Sequence, residues 1–454
     1  MKTTNLTFVF LFVATLLKAQ SHILDDYIQQ GLKNNLQLQQ EQLNYERSME
    51  NLAQARALFM PHIGLNASYQ FAQGGRTTNI PVGDLVNPIF KNLNAINGQL
   101  SIPVQYQGIS NESIKFLADN FHDTKVRVIQ PLFNPEIYFN YKAQKELITV
   151  QQAQKKNYEN QLKYEIASAY FQFLQANDAL KILNNTTTLL RELLKINQSL
   201  VKNAKATKDV VLSTEYELNK TEQQIAESQK NYEVAQAYFN FLLNRDLSSS
   251  IVKDSTLSVS LNEQQEISSL TNTALQQRQD LVQLKNGLEV NEKIVSLNKG
   301  NAYLPRINAV GDIGYQGYYY TFKSDQQYWL AQFSLTWDIF KGGEKRAKVQ
   351  QARIDYQVME NKMEQLKKQI ELQVIQSHYE LQSAKQAYKA SQSGVNSAEK
   401  SFQIIRAKYN EGQGLLIEYL DAENKFTNAQ IQNSINQYEL LRKAAALQKT
   451  ISNL

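Results

Sequence analysis

The hydrophobic positions of this chain follow two rhythms. In four short segments about every second residue is apolar. Ile63, Leu65, Ala67, Tyr69 and Phe71 alternate with Gly64, Asn66, Ser68 and Gln70. Val126, Val128 and Leu132 stand against Lys125 and Arg127, and Ile307, Ala309, Ile313 and Tyr315 against Asn308, Asp312 and Gln316. The fourth, "WLAQFSLTWDI" (329–339), carries Trp329, Ala331, Phe333, Leu335, Trp337 and Ile339 on one file. A period of two marks a strand with two unlike faces. The pattern predicts strands at about 62–72, 124–133, 306–320 and 328–340.

Elsewhere the period is 3.5. Leu381, Ala384, Tyr388, Ser391, Val395, Ala398, Phe402, Ile405 and Tyr409 are separated by three and four residues in turn, and Leu180, Leu183, Thr187, Leu190, Leu194, Asn197 and Val201 likewise. Leu38, Tyr45, Leu52 and Phe59 recur every seventh residue, as do Ala274, Leu281, Leu288, Val295 and Ala302. Such a seam implies left-handed coiled-coil packing. Composition extends the point. The chain of 454 residues has 17 glycines and 7 prolines, and no proline lies between 136 and 304 or after 305. Proline breaks helix interiors, so these gaps leave room for very long helices. One from Gly343 to Glu411 would extend roughly 100 Å at 1.5 Å per residue.

The two rhythms occur twice in the same order. "LKNNLQL" (32–38) resembles "LQQRQDL" (275–281), "LFMPHIGLNASY" (58–69) resembles "AYLPRINAVGDIGY" (302–315), "VIQPLFNPE" (128–136) resembles "LTWDIFKGGE" (335–344), and "LSTEYEL" (212–218) resembles "LDAENKF" (420–426). The offset is about 243 residues up to the first strand of each half and about 208 from the second strand on, so one insertion after Phe71, within the first half, explains the difference. The expected layout is a signal peptide at 1–19, a first repeat at 20–245, a linker at 246–266 and a second repeat at 267–454. Each repeat reads helix, strand, loop, strand, long helix, turn, helix. The segment 73–121, polar with Gly, Pro and Asn, reads as a long exposed loop.

The ends and the charges narrow the setting. Lys2 followed by the apolar run Leu6–Leu17 and then Ala19 reads as a secretory signal, cut after Ala19 or Gln20 and too short to span a bilayer. There is no cysteine, hence no disulfide and no lipid-anchored cysteine. The formal charge of +5 falls to +3 once Lys2 and Lys18 leave with the signal, and the charges are scattered, which argues against nucleic-acid binding. His22, His62, His122 and His378 are far apart, so no metal site is expected, and no motif for a nucleotide or a catalytic serine occurs. No cofactor and no enzymatic activity are expected.

Each alternating segment has the length of a transmembrane β-strand, and aromatic residues gather at one end of the third and fourth, in "YQGYYYTF" (315–322) and "YWL" (328–330). A sheet in lipid cannot leave its edges open, and four strands are too few to close a barrel. The chain would have to borrow strands from copies of itself. The alternative is a soluble sheet half buried on its helices, within a periplasmic or surface coiled-coil interaction protein.

On these residues the chain resembles the TolC family of outer-membrane efflux proteins. The most specific stretch is "AKYNEGQGLLIEYLDAENKFTNAQ" (407–430), similar to the family's Tyr-x-x-Gly turn and Leu-Asp-Ala helix start, and "PLF" (131–133) with "DIFKGG" (338–343) is the second. The resemblance implies a mixed α and transmembrane β fold. A homotrimer would assemble a 12-stranded barrel in outer-membrane lipid, continued by an α-helical periplasmic tunnel. That tunnel would be a passive export conduit for small molecules or polypeptides, driven by an inner-membrane transporter through a periplasmic adaptor protein. The linker 246–266 would lie in a band around the tunnel's middle.

The helix tips are the candidate functional region. Gly412 and Gly414 permit left-handed backbone in a turn near 412–415. Glu418 and Asp421, three residues apart, share a helix face. In a three-fold assembly they would form acidic rings at a narrow mouth, favouring cations; equally, they suit a helix N-terminus through its macrodipole. By resemblance these two match the acidic pair at the family's closed entrance, and Tyr409 matches a tyrosine that holds the tip shut. Asp209 lies near the corresponding turn of the first half, and Gly414 stands where the family has an arginine.

Overall fold

The computed structural model describes residues 22–254 and 266–452; the signal segment and most of the linker lie outside these. The order of elements is α1 (His22–Asn34), α2 (Leu36–Ala57), β1 (His62–Gln70), β2 (Thr77–Ile80), α3 (Val82–Gln99), β3 (Glu112–Lys115), β4 (Phe121–Phe133), α4 (Pro135–Lys202) and α5 (Lys208–Leu242). There follow α6 (Ile267–Gln277), α7 (Gln279–Tyr303), β5 (Arg306–Tyr318), β6 (Gln327–Thr336), α8 (Glu344–Asn410) and α9 (Leu416–Thr450). The proline-free stretches carry the longest helices, α4 with 68 residues and α8 with 67. Contacts divide the chain into a helical unit (1–51, 142–293, 352–454) and a sheet-bearing unit (52–141, 294–351).

Among the described residues, the helical unit has three small cores in place of one. Tyr27, Leu162, Ile166, Tyr170, Phe239 and Leu243 pack among α1, α4 and α5. Leu270, Ala274, Ile370, Val374, Leu447 and Ile451 pack among α6, α8 and α9. The two sets correspond at the offsets read from the sequence: Leu162, Ile166, Phe239 and Leu243 lie 208 residues before Ile370, Val374, Leu447 and Ile451. The repeat is therefore one of packing as well as of pattern. The third core lies at the helix tips. Along α8 the seam from Leu381 to Tyr409 is buried or half-buried at each of its nine positions.

Both short first helices are broken where the seven-residue pattern shows no break. Asn35 interrupts α1 and α2; its carboxamide donates to the Leu242 carbonyl at 2.9 Å and accepts the Leu38 N–H at 3.0 Å, which caps α2. Arg278, 243 residues later, interrupts α6 and α7, with its guanidinium held by Asp280 and by Gln373 at 2.6 Å. At the start of the linker, Tyr27 and Tyr170 hydroxyls bind the Val252 and Asp254 backbone at 2.9 Å.

In the sheet-bearing unit the four expected strands form one antiparallel sheet in the order β1-β4-β5-β6. Among the described residues, nothing pairs with the outer edge of β1 or of β6. The register lines up the apolar files: Leu65 faces Val126, Val126 faces Ile313, and Ile313 faces Trp329. That row is open, at 73, 44, 64 and 77% exposure. β6 stops at Thr336, short of the expected 340, because Asp338 is drawn to Lys341 (3.0 Å) and its carbonyl accepts the Lys345 ammonium. Phe59 packs edge-on against Tyr141 at 5.8 Å, where α2 and α4 meet the sheet.

The segment 73–121 is not a plain loop. It holds α3 and a small antiparallel pair, β2 with β3. Asparagine is a weak helix former, and α3 also contains Pro88. The asparagines have a different task. Asn94 donates to the Tyr106 carbonyl and accepts the Tyr106 N–H, both at 2.7 Å. Asn87 does the same with Ile109 at 2.8 Å, and Asn97 donates to the Val104 carbonyl at 2.9 Å. Side-chain amides thus serve as the hydrogen-bonding edge for an extended return segment.

Candidate functional site

The two helix pairs end in the same turn. At the end of α4 the Lys205 N–H reaches the Leu200 carbonyl (2.8 Å) and the Ala204 N–H the Val201 carbonyl (3.0 Å), with Ala204 left-handed at φ 53°. At the end of α8 the Gln413 N–H reaches Lys408 (2.9 Å) and the Gly412 N–H reaches Tyr409 (3.0 Å), with Gly412 at φ 75°. Both are Schellman closures. Gly414 is not left-handed, contrary to expectation. Its role is close approach: a Cβ there would lie 3.2 Å from the Tyr409 backbone nitrogen.

Behind these turns a polar chain crosses three helices. Asn197 occupies a seam position on α4 and is fully buried. Its carboxamide oxygen accepts the Tyr409 hydroxyl from α8 at 2.6 Å, and its nitrogen donates to Thr214 on α5 at 2.8 Å. Leu190, Leu193, Phe402 and Tyr419 wrap the cluster, with Tyr409 and Tyr419 rings 5.4 Å apart. Burial pushes the Tyr409 and Tyr419 hydroxyls above their ordinary pKa, so Tyr409 is a neutral donor throughout the physiological range.

A second buried group follows on α9. Glu423 is 2% exposed and accepts the Thr427 hydroxyl at 2.6 Å; Thr427 in turn meets Thr186 of α4 at 2.7 Å. Burial raises the pKa of this carboxyl, partly offset by the two threonines. The charged groups acting on it from α5 are Glu217 and Lys220, which pair with each other at 3.1 Å.

The residues expected from sequence are only partly brought together. Tyr409 is in the cluster. Asp209 is not bonded to it: Asp209 is exposed in the first turn of α5 and accepts the Thr207 hydroxyl. Glu418 and Asp421 are exposed in the first turns of α9. Glu418 accepts the Leu415 N–H at 3.2 Å, the cap interaction that its position allows, and Asp421 is paired with Lys425 at 2.6 Å. Sequence reasoning assigned no role to Asn197, Thr214 or Glu423, although a lone asparagine within an apolar seam was a usable signal.

The polar face of the sheet carries a charge cluster of its own. Arg127 grips Asp312 with two hydrogen bonds at 2.8 and 2.7 Å, and Asp123 takes the Lys125 ammonium and the Tyr328 hydroxyl, the latter at 2.8 Å. Two acids meet two bases, so the cluster carries no net charge. Among the described residues no group of His, Cys, Asp and Glu is arranged to hold a metal ion. No described helix is long and apolar enough to cross a membrane, which says nothing of a barrel.

Comparison with known proteins agrees with this arrangement. Residues 270–453 match the family described as outer membrane efflux protein. No curated protein matches the sequence. Among solved structures, the outer-membrane channel OprN is similar with a TM-score of 0.73 at 17% identity, over 96% of this chain and 91% of that one. The CmeC outer membrane channel of Campylobacter jejuni is similar with a TM-score of 0.75 at 16% identity, over 95% and 86%. The open state of the MtrE outer membrane channel of Neisseria gonorrhoeae gives 0.72 at 16%, over 94% and 88%. The described chain as a whole has the fold of these channels. The resemblance to the TolC family is borne out.

Two outcomes are expected at the tip. Tyr409→Phe strips the Asn197 carboxamide oxygen of its buried donor, which costs about 1–3 kcal/mol; it should raise the frequency of large-conductance openings in planar bilayers, and unaltered recordings would discount the cluster as a latch. Glu423 holds its proton to higher pH when buried than when exposed to water. The buried packing therefore binds more protons in that window, is firmest at low pH and loosens as pH rises through the folded-state value. Amide exchange of residues 416–427 should accelerate with pH beyond the intrinsic trend, and Glu423→Gln should remove the excess.

Proposed function

We propose that this chain is one third of a passive channel-tunnel in the outer membrane. Three copies of the sheet close a barrel through lipid, and the helices line a periplasmic passage. A periplasmic adaptor and an inner-membrane transporter supply the energy, with small molecules or polypeptides as cargo. The observation that carries this reading is the open apolar row Leu65–Val126–Ile313–Trp329 on a sheet whose two edges pair with nothing among the described residues. Fully burying each such side chain is worth about 1.5–3 kcal/mol, and each unpaired amide in hydrocarbon costs several. Lipid satisfies the row, and neighbouring copies satisfy the edges. The soluble-sheet alternative needs those files packed on helices, and they are not. At the tip, Glu418 and Asp421 would repeat as acidic rings that favour cations, weakened at Asp421 by its lysine partner.

Outer-membrane extracts should contain a heat-modifiable trimer. Ile313→Arg, at mid-strand on the apolar file, should cost about 2–4 kcal/mol in the bilayer and deplete that trimer, whereas Asn308→Arg on the opposite face should spare it. Equal recovery of both variants, or a soluble monomer, would sink the reading. Separately, Glu418→Gln combined with Asp421→Asn should lower the cation-over-anion permeability ratio; an unchanged ratio removes the acidic rings and leaves the channel intact.

A further inference from the structure

The helix α3 is amphipathic in an inverted sense. Its asparagine face is the covered one, and Leu85, Ile89, Leu93, Ile96 and Leu100 are exposed, between 38 and 68%. At 100° per residue these five, the last of them the C-cap residue, fall within a stripe of about 80°, opposite Asn87 and Asn94, with Asn97 on the flank. The return segment is seated too closely for this face to turn inward: a Cβ on Gly83 would meet the Ile109 carbonyl at 2.4 Å. The root of the insertion is fixed as well. Gln70, the last residue of the polar file of β1, donates to the Ala118 carbonyl at 3.0 Å, and Asp119 accepts the Ala72 N–H at 2.9 Å.

Three features say what covers the stripe. First, the insertion springs from β1, the edge strand whose open side must pair with another copy, so it stands at the seam between copies. Second, its charges cancel: Arg76, Lys91 and Lys115 against Asp84, Glu112 and Asp119. Interfacial helices that lie on lipid carry a lysine- and arginine-rich polar face; α3 has one lysine, and its polar face is occupied by backbone. Third, the dimensions agree. Twelve strands about 4.8 Å apart and tilted by about 40° close a ring about 24 Å across. Three helices, each about 10 Å wide, pack within a circle of about 22 Å. The 18-residue α3 is about 27 Å long at 1.5 Å per residue, enough to reach the axis.

We propose that the apolar stripes of three α3 helices meet over the outer mouth of the barrel and form a cap, a second constriction at the end opposite the helix tips. The cap rests on the trimeric-channel reading above. The occupant of each stripe is the same stripe on two further copies.

The chain has no cysteine, so single cysteines report proximity cleanly. In the purified heat-modifiable trimer, Ile96→Cys should form disulfide-linked pairs of subunits on mild oxidation. Lys91→Cys, on the opposite flank of the helix, should not. Replacing residues 82–110 with a short Gly-Ser linker should keep the trimer and raise its conductance severalfold. Four results in an intact trimer would overturn the cap: no cross-link in the Ile96→Cys variant, equal cross-linking in the Lys91→Cys variant, a thiol-reactive fluorophore on the Ile96→Cys variant quenched from the lipid phase, or unchanged conductance after the replacement. Absence of the trimer in the unmodified protein would instead remove the reading on which the cap stands.

Discussion

Backbone amides in hydrocarbon have nothing to bond to but one another, and the organisation of this chain follows from that constraint. A four-stranded antiparallel sheet satisfies its interior amides and leaves two rows unsatisfied, one along β1 and one along β6. With the apolar file of the same sheet bare, no arrangement of a single copy satisfies both. In the proposed trimer, joining β6 of one copy to β1 of the next resolves the edges, and lipid takes the bare file. The lack of a single large core is then no deficiency. The helical unit is held by short clusters spaced along its helices, each local to between three and five of them.

Much of this was legible from spacing alone, because both relevant periods are short. A period of two gave the strands to within a few residues, and the alternating threes and fours from Leu381 to Tyr409 marked the buried side of α8. What escaped was set by contacts between distant residues. The partner of Tyr409 is Asn197, 212 positions away, and no local pattern prefers it to Asp209. The breaks at Asn35 and Arg278 depend on Leu242 and Gln373, which lie on other helices. The insertion was read as loop because asparagine and proline are counted against helix, whereas here the asparagine amides are what the helix presents to its own return segment. The spacing of Leu85, Ile89, Leu93, Ile96 and Leu100 held the opposite message.

The duplication is closest where geometry is least forgiving. The left-handed residue of each tip lies at corresponding positions, Ala204 and Gly412, and so do those ending the second helix of each pair, Asn244 and Ser452. Left-handed backbone costs a residue with a Cβ roughly 1–2 kcal/mol, so the first tip is the more strained of the two. Between the tips, however, the polar chain is not duplicated. Tyr409, Asn197 and Thr214 join one half to the other, as do Thr427 and Thr186, and these links distinguish the two otherwise equivalent hairpins.

The stapling of α3 bears on assembly. Each of its asparagine bonds closes a loop of between 7 and 22 residues, and closures of that size form within about a microsecond. In the proposed barrel the insertion therefore acquires its shape without a template from the wall, because its hydrogen-bond partners travel with it.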